Sequence, residues 1–481
     1  MPINSFLYPG AKVTTGYEVA NSLRFNEPSN QGLSKTPSGA GNRRTFTISV
    51  WLKRSKITNQ TGDVQGVIES RADSNDNCGI IFNTDDTLLV KLKIGGTNAK
   101  LITNRVFRDV SAWYHIVVAV DTTQSTNSNR NKLYINGVQE TSFGTEQYPS
   151  QDAQTSFNNT VAHAVGKRTD VTTQNFDGYL TEVVMIDGQA LDPTSFGEFD
   201  SDSPNIWKPI DVSGLTFGTN GFYLDFEDSS ALGNDVSGNN NDYSVTNLSA
   251  VHQSTDTCTN NFATLNSLNG NNYAGLTFSK GNLKIETTAA NYAPGQSTIG
   301  FNKGKWYAEF KATDVDNWTI VGIVGQNATA TNDYIGKQSD GYGYVGGSSA
   351  GSSYSKVNNS TFSSYGATYT DGDIISVAVD ADNNKIYFAK NGTYIDSGDP
   401  TSGSTGTGAA FTISSTPTSG FYFFAVGNYS GSQTPDWEAN FGSPPYSISS
   451  GNSDANGHGN FEYSVPSGYY ALNTKNLAEF G

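Results

Sequence analysis

Residues 45–51 read Thr-Phe-Thr-Ile-Ser-Val-Trp, in which apolar and hydroxyl-bearing side chains alternate. Successive side chains of a β-strand point to opposite faces of a sheet, so this period of two places Phe46, Ile48 and Val50 on one face. The hydroxyl groups of Thr45, Thr47 and Ser49 then lie on the other face. The stretch therefore predicts a half-buried β-strand.

Runs of similar length recur through the first 210 residues, each bounded by clusters of Gly, Asn, Asp or Ser that favour turns. Asn136-Gly137 separates two of them, and this pair suits a two-residue hairpin turn because both positions must accept a positive φ. Strands joined by short polar turns, with almost no segment of helical period, predict an antiparallel β-sandwich. The further runs are 79–83, 87–94, 113–121, 132–135 and 179–186.

The second part of the chain shows the same alternation and predicts a second sandwich. Residues 222–226, the turn-rich stretch 235–242 and the short strand-like run 243–245 together predict a hairpin at its start. The predicted fold class is therefore all-β, with two tandem antiparallel β-sandwiches and helix confined to short turns. The other predicted strands are 306–310, 319–324, 374–380, 385–389 and 421–426.

Charge divides the chain near residue 210. The 481 residues include 29 basic and 45 acidic side chains, a formal net charge of −16. Residues 1–210 hold 19 basic and 21 acidic side chains, or −2, whereas residues 211–481 hold 10 and 24, or −14. The acidic, Pro/Ser/Gly-punctuated stretch 200–214 predicts a connector there. We predict a docking segment at 1–20, a first sandwich at 21–210, and a second sandwich with an N-terminal hairpin extension at 211–481.

Composition also bears on partners and location. An acidic chain lacks the basic footprint that nucleic acids and anionic membranes require, so neither is expected as a partner. No apolar run approaches the ~18 residues of a membrane span, and the N-terminus lacks the features of a secretory signal. Cys78 and Cys258 are too far apart in sequence for a disulfide framework or a metal-ligand spacing. We expect no membrane insertion and no Sec-type secretion.

Two carboxylate pairs are candidates for catalysis, because glycan hydrolysis on a β-sandwich needs two carboxylates on one strand face. The stretch Glu198-Phe-Asp200-Ser-Asp202 lacks the last carboxylate of the laminarinase-type arrangement and lies in the predicted connector. Asp225 and Glu227 share a strand face by the period of two, although a solvated face beside a turn explains them as well. We expect no catalytic residue and no enzymatic activity.

The sequence contains no complete metal-binding motif. Residues 73–77 begin like a calcium-binding EF-hand loop, but Cys78 stands where glycine is needed and Thr84 where the bidentate glutamate belongs. A looser calcium site near Asp73 and Asp76 remains open, and no other cofactor is expected. None of the four histidines has a partner at metal or triad spacing, and His115 is predicted to occupy a hydrogen-bonded position in a sheet.

The candidate ligand site combines an aromatic ring with short polar side chains, which is how sandwich lectins hold sugars. Trp318 beside Asp316 and Asn317 meets that description, and Tyr354 in a Gly/Ser-rich loop is a second candidate. The alternative is that Trp318 is a core residue of the strand that runs to Val324.

The first part of the chain resembles a laminin-G/concanavalin A-like jelly roll. The resemblance rests on residues 22–25, 51–54, 108–115, 132–137 (Lys-Leu-Tyr-Ile-Asn-Gly) and 176–182. Residues 186–191, 196–197 and 207–209 resemble the version found in tailed-bacteriophage virion proteins, and residues 218–226 and 256–266 resemble the segment that follows it there. Cys258 stands where that segment has proline.

Residues 304–309, 372–380 and 388–392 are similar to a SPRY domain, whose Gly-Asp-x-Ile and Lys-Asn-Gly signatures occur here as Gly372-Asp-Ile-Ile and Lys390-Asn-Gly. Together the resemblances cover most of the chain. They imply two β-sandwiches of a recognition type in a virion, and they transfer no catalytic residue.

The sequence thus predicts a non-enzymatic surface protein of a tailed phage, made in the host cytoplasm: a tail fibre or other peripheral protein for host recognition or adhesion. Its expected partners are other virion proteins, copies of itself and a host cell-surface glycan or protein. The alternatives are a capsid decoration or adaptor protein, or a secreted glycan-binding or glycan-degrading protein. The predicted core residues are Val50, Trp51, Trp113, Ile116, Val118 and Tyr179 in the first sandwich, and Trp306, Ile375, Val377, Val379 and Phe388 in the second.

Overall fold

The structure is a computed structural model that describes residues 16–57, 63–268, 275–287, 294–325, 334–347, 355–429 and 434–481. These residues are almost entirely β-strands and turns, and the all-β prediction is confirmed. Within them the one α-helix is α1 (Thr474–Phe480). Short 3-10 turns occur at Glu27–Ser29, Asn127–Asn129, Pro193–Ser195, Ala250–His252, Ile395–Ser397 and Pro400–Thr405. No described helix is long and apolar enough to cross a membrane.

The chain divides into two compact units between Thr259 and Asn260. The first unit is a sandwich of two antiparallel sheets. The first sheet has the order β10-β9-β8-β3-β13-β1-β18, with β16 also paired to β13, and the second has the order β11-β7-β6-β5-β4-β12-β2-β17. A separate hairpin joins β14 and β15. The strands are β1 Ser22–Phe25, β2 Gly32–Lys35, β3 Thr45–Arg54, β4 Gln65–Arg71, β5 Asn77–Phe82, β6 Thr87–Ile94, β7 Thr97–Val106, β8 Trp113–Asp121, β9 Asn131–Ile135, β10 Val138–Gln139, β11 Phe143–Gln147, β12 Ala162–Val165, β13 Gly178–Asp187, β14 Gly197–Phe199, β15 Trp207–Pro209, β16 Phe222–Leu224, β17 Ser244–Thr246 and β18 Gln253–Ser254.

The prediction that β3 is half-buried is wrong. Phe46, Ile48 and Val50 face the core between the sheets as expected, but Thr47 and Ser49 on the other face are buried too, at 0% and 2% exposure. The Thr47 hydroxyl donates to the carbonyl of Gln189 and accepts from the backbone N–H of Leu191. A later part of the chain therefore covers the outer face of the first sheet.

Residues 188–258, which we call the cover segment, supply that layer with their first part and then add β16 and β18 to the first sheet and β17 to the second. Phe196, Val212, Phe217 and Tyr223 form an apolar cluster with residues of β8 and β13 on the outer face. Trp207 stacks at 6.0 Å on His115, whose ring stacks in turn on Trp51 at 4.6 Å. His115 also contacts the Ser49 hydroxyl and accepts from the Trp207 indole N–H, so its predicted hydrogen-bonded sheet position is confirmed.

The cover segment also corrects the predicted domain boundary and the predicted hairpin. β16 pairs with β13 in the first sheet, whereas β17 pairs with β2 in the second, so the two strands are not hairpin partners. Residues 211–259 therefore belong to the first unit rather than to the SPRY-like sandwich. The predicted connector, 200–214, contains the turn and the second strand of the β14–β15 hairpin, whereas β14 precedes it. The charge contrast near residue 210 is a feature of composition only. Strand pairing determines where the first unit ends, which is at Thr259.

A buried ion pair anchors the end of the cover segment. The Lys53 ammonium contacts the Asp256 carboxylate at 2.8 Å, and both side chains are 1% exposed. The other oxygen of that carboxylate accepts from the Trp113 indole N–H at 3.2 Å. At the N-terminal side, Val19 is buried and its backbone N–H donates to the Thr259 hydroxyl. Residues 1–15 of the predicted docking segment lie outside the described residues.

The second unit is also a sandwich of two sheets. One has the order β19-β20-β32-β22-β27-β28-β29, with β30 paired to β28 and β33 to β22, and the other has the order β21-β31-β23-β24-β25-β26. Its strands are β19 Leu276–Ser279, β20 Lys284–Thr287, β21 Gly295–Gln296, β22 Lys305–Asp314, β23 Thr319–Val324, β24 Gly341–Gly346, β25 Ser355–Asn358, β26 Thr361–Ser364, β27 Ile374–Asp380, β28 Lys385–Lys390, β29 Thr393–Tyr394, β30 Phe411–Thr412, β31 Phe423–Asn428, β32 Asp436–Asn440 and β33 Tyr470–Ala471.

Most of the predicted core residues are buried. All five residues predicted for the second core belong to its main cluster, and Val50, Ile116 and Val118 belong to the first. Tyr179 is fully buried. Trp51 is buried on the outer face of the first sheet, against His115, and Trp113 is half-buried beside Asp256.

Replacing Asp256 with alanine should destabilise the first unit by roughly 3–5 kcal/mol, because the buried Lys53 ammonium loses the carboxylate it contacts. Chemical denaturation followed by tryptophan fluorescence gives the unfolding free energy. Asp152→Ala is the control, because Asp152 pairs with Arg44 at 3.6 Å between side chains that are 57% and 43% exposed. Such a pair contributes only about 0–1 kcal/mol. Similar losses in the two variants would contradict the assignment of Asp256 to the first core.

Candidate functional site

A pocket of about 230 Å³ opens at one edge of the first unit. Every residue that lines it comes from one continuous stretch, which runs from the edge of the first sheet (β9 and β10) to the edge strand of the second (β11). The lining residues are Ser128, Asn129, Asn131, Lys132, Leu133, Gln139, Glu140, Thr141, Phe143, Glu146 and Tyr148. The pocket therefore lies where the sandwich would otherwise expose its open edge.

Local sequence explains how this stretch folds. Leu133 and Ile135 of β9 point into the core between the sheets. Asn136 and Gly137 adopt φ of 48° and 77°, so the chain turns back tightly into β10, as the sequence predicts. The next residues cross to the other sheet, where β11 pairs with β7.

Asn131 is the distinctive residue of the pocket. It precedes Leu133 and Ile135 in the inward-facing period of β9, and it is 1% exposed. Neither its amide oxygen nor its amide nitrogen has a hydrogen-bond partner among the described residues. An unsatisfied buried amide costs about 1–3 kcal/mol. An amide offers a donor and an acceptor side by side, which suits a ligand with neighbouring hydroxyl groups.

Carboxylates and aromatic rings complete the lining. One oxygen of Glu140 accepts from the backbone N–H groups of Thr141 and Ser142, and the other lies 3.3 Å from the Arg105 guanidinium. The hydroxyl of the half-buried Tyr148 donates to Glu146. Burial and this contact raise the pKa of Tyr148 to about 12, so the phenol is neutral at physiological pH. The pocket combines an amide, carboxylates and aromatic rings in a volume below the roughly 300–1,000 Å³ of drug-sized sites.

Sequence reasoning missed this pocket. Its signal was a polar residue at an inward position, because Asn131 continues the alternation of Leu133 and Ile135. Only the structure shows that no described residue is a hydrogen-bond partner of the amide there.

The predicted site at Trp318 lies in the second unit. Trp318 immediately precedes β23, has a φ of 71° and is half-buried. Its ring packs on Tyr429 at 4.7 Å and on Phe362 at 5.3 Å. The carboxylate of Asp316 accepts from the backbone N–H of Thr434 at 2.6 Å, so it holds a neighbouring segment. Trp318 is thus neither fully exposed nor a strand residue. Asn317 is half-buried, and Tyr354 lies outside the described residues. A ligand-binding role for these residues stays a prediction.

The carboxylates near the possible calcium site form turns. One oxygen of Asp73 accepts from the backbone N–H groups of Asn75 and Asp76, and these bonds lower the pKa of Asp73. Asp76 accepts from the backbone N–H of Gly95. No cluster of three or more His, Cys, Asp or Glu side chains that could hold a metal occurs in the described part of the chain.

The carboxylates of the two candidate catalytic pairs also make hydrogen bonds or ion pairs within the protein. β16 ends at Leu224, and Asp225 accepts from the backbone N–H of Glu227, so this pair belongs to a turn rather than to a strand face. Glu198 and Asp200 both pair with Lys208, at 3.3 and 3.2 Å.

Two other carboxyl groups have strongly raised pKa values. Glu182 lies at a bulge in β13 with a φ of 50° and accepts from the hydroxyls of Tyr223 and Tyr17, at 2.8 and 3.3 Å. Burial raises its pKa to about 8. Burial likewise raises the pKa of Glu309 in β22 to about 7, although Glu309 accepts from the backbone N–H groups of Glu462 and Tyr463. Both groups join distant parts of their own unit.

Comparison with protein families confirms both predicted domain types. Residues 28–195 match the laminin-G-type model of the concanavalin A-like lectin/glucanases superfamily, and residues 305–434 match the SPRY domain. The first unit thus contains a concanavalin A-like domain, and the second contains a SPRY domain.

Similarity to individual proteins is low. No curated protein matches the chain. Among solved structures, the chain is similar to a native heptameric SAP-like pentraxin from Limulus polyphemus, with 15% identity over 37% of this chain and 80% of that one and a TM-score of 0.27. It is also similar to stonustoxin, with 18% identity, 37% of this chain and a TM-score of 0.27, and it spans 27% of the length of that protein.

Comparing alanine with glycine at position 318 should separate the contribution of the Trp318 ring from its backbone strain. Trp318→Ala should destabilise the second unit by about 1–3 kcal/mol, less than a fully buried tryptophan would. Trp318→Gly should be about 0.5–1 kcal/mol more stable than the alanine variant, because glycine adopts a positive φ without steric cost. Denaturant unfolding measures both. A glycine variant less stable than the alanine variant would contradict the left-handed backbone at this position.

The carboxyl of Glu182 should make the first unit less stable as the pH rises. Its pKa in the folded protein, about 8, exceeds the value near 4.5 of an unfolded chain, so its contribution is complete below about pH 4.5 and is lost as the pH rises to about 8. Between pH 6.5 and 8 the unfolding free energy should fall by about 1–2 kcal/mol. Glu182→Gln should abolish this fall in the first unit, whereas Glu309→Gln should leave it unchanged. A pH slope that survives in the Glu182 variant would contradict the raised pKa.

Proposed function

We propose that this chain is a non-enzymatic surface protein of a tailed-phage particle, and that its first unit binds a host-surface glycan in the edge pocket. The observation that carries the proposal is the Asn131 amide, which is buried, lines the pocket and has no hydrogen-bond partner among the described residues. A sugar with adjacent hydroxyl groups would satisfy both of its polar atoms. Glu140 and Glu146 would accept from further hydroxyls, and Tyr148 would provide a ring beside the sugar.

The family match supports this ligand class, because the concanavalin A-like superfamily is described as one of lectins and glucanases. The carboxylate contacts favour the lectin side of that description. Asp225 closes a turn, and Glu198 and Asp200 pair with Lys208, so none of these groups has the freedom of a nucleophile or an acid–base catalyst.

The virion setting rests on the resemblance of residues 186–191 and 207–209 to phage chains. In that setting the protein is a tail fibre or other peripheral recognition protein, made in the host cytoplasm and assembled on the particle surface with other virion proteins and with copies of itself. A capsid decoration protein, an adaptor and a secreted glycan-binding protein would use the same pocket and differ in location.

Asn131→Leu tests the pocket directly. The substitution should raise the melting temperature of the first unit, because it removes an unsatisfied buried amide, and should weaken glycan binding about tenfold or more. Binding is measured against a panel of oligosaccharides released from bacterial envelopes, and adsorption of particles to host cells is measured in parallel.

Asn175→Leu is the matched control. Asn175 is also fully buried, but its amide donates to the carbonyl of Thr172, so its loss should lower stability and leave glycan binding unchanged. Unchanged glycan binding by Asn131→Leu would contradict the proposed site. Release of reducing sugar that Asp225→Asn or Glu227→Gln abolishes would contradict the non-enzymatic assignment.

A further inference from the structure

The outer face of the second sheet carries an ordered set of charged side chains. Residues that pair directly across antiparallel strands project from the same face. One row across the sheet is Glu69, Gly79, Lys91 and Lys100, in successive strands β4 to β7. The adjacent row contains Arg71, Asn77 and Lys93. The other face of these strands packs in the core through Cys78, Ile80, Val90, Leu92 and Leu101.

The carboxylates of this face are paired with arginines. Glu69 contacts Arg168 at 3.1 Å, and Asp170 contacts Arg71 at 3.1 Å. These pairs leave Lys91, Lys93 and Lys100 without a carboxylate within ion-pair distance in the described part of the chain. Lys93 instead donates to the carbonyl of Ser74.

Lys91 and Lys100 form an unfavourable pair. They lie directly opposite each other in the ladder, and like charges in that position destabilise a sheet. Lys91 is half-buried, and burial together with the positive charge of Arg168 lowers its pKa. A ligand that places an anion between the two lysines would relieve their repulsion.

An apolar row borders the charged rows on the same face. Ile81, Leu89 and Ile102 pair across β5, β6 and β7, one step from Gly79, Lys91 and Lys100 along each strand face. Ile81 is only 4% exposed, whereas Leu89 and Ile102 are half-buried, so these last two aliphatic side chains are the ones that suit the apolar face of a sugar ring. These rows contain no aromatic ring on which a nucleic-acid base could stack, as single-stranded nucleic-acid sites require.

We call the outer surface around Lys91, Lys93 and Lys100 the lysine face. We propose that it binds an acidic polysaccharide, with carboxylates of the polymer against these three lysines and its sugar rings along Leu89 and Ile102. The net charge of −16 does not prevent this, because fields between exposed charges are screened beyond about 10 Å at 0.1 M salt. None of Lys91, Lys93 and Lys100 lines the Asn131 pocket. The proposal of a charged ligand at the lysine face therefore does not depend on whether the pocket binds a neutral sugar.

The test measures binding of the intact protein to polygalacturonate, with neutral dextran and duplex DNA as comparison polymers. Polygalacturonate should bind, binding should weaken as salt is raised, and dextran and DNA should bind less tightly. Lys91→Gln and Lys100→Gln should each weaken binding by about 2- to 5-fold, the range of one exposed charge contact. Both variants should keep or raise the melting temperature, because each removes the opposed charges.

Lys303→Gln is the charge-matched control, since Lys303 is exposed in the second unit, and it should leave polygalacturonate binding unchanged. Equal weakening by Lys303→Gln, unchanged binding by Lys91→Gln or tighter binding of DNA would overturn the proposal. Asn131→Leu separates the two proposals, because it should leave polygalacturonate binding intact. If the protein does not bind polygalacturonate, the measurement of neutral-glycan binding at the Asn131 pocket keeps its meaning.

Discussion

The closure of the outer face of the first sheet by the cover segment is the constraint on which the first unit depends. β3 and β8 place Thr47, Ser49, Lys53 and His115 on that face, and polar groups that leave water must find partners. The cover segment provides them through the carbonyl of Gln189, the indole of Trp207 and the carboxylate of Asp256. Sequence close to β3 could not supply this layer, because the partners lie more than ninety residues away.

Closure of one face determines where a ligand can bind in this unit. With the first sheet covered, the described surfaces that remain include the outer face of β6 and β7 in the second sheet and the edge at which the Asn131 pocket lies. Both carry features that packing alone does not require: the Asn131 amide, which has no hydrogen-bond partner among the described residues, and the opposed lysines of β6 and β7. Structural positions normally satisfy buried polar groups and avoid like charges in direct opposition. A free-energy cost that persists in a rigid scaffold is expected at a site where the binding of a ligand offsets it.

The sequence predicts strands and turns well, because their signals are local. The period of two located β3, β8 and β13, and Asn136-Gly137 forms the expected turn with both residues at positive φ. Long-range pairing was not predictable in the same way. Residues 222–226 and 243–245 have the composition of hairpin strands, yet β16 and β17 join opposite sheets. The boundary near residue 210 failed for the same reason, since composition records surface charge and not pairing. At the candidate site, the inward position of Asn131 follows from the alternation of β9, whereas the absence of a partner for its amide among the described residues depends on the fold.

Hydrogen–deuterium exchange of the intact protein, with and without an oligosaccharide from the host envelope, tests the central claim most directly. If the edge pocket binds the glycan, added protection should be confined to the backbone amides of β9, β10 and β11 in the first unit. Protection confined to the residues around Trp318 in the second unit, with β9 to β11 unchanged, would contradict the account.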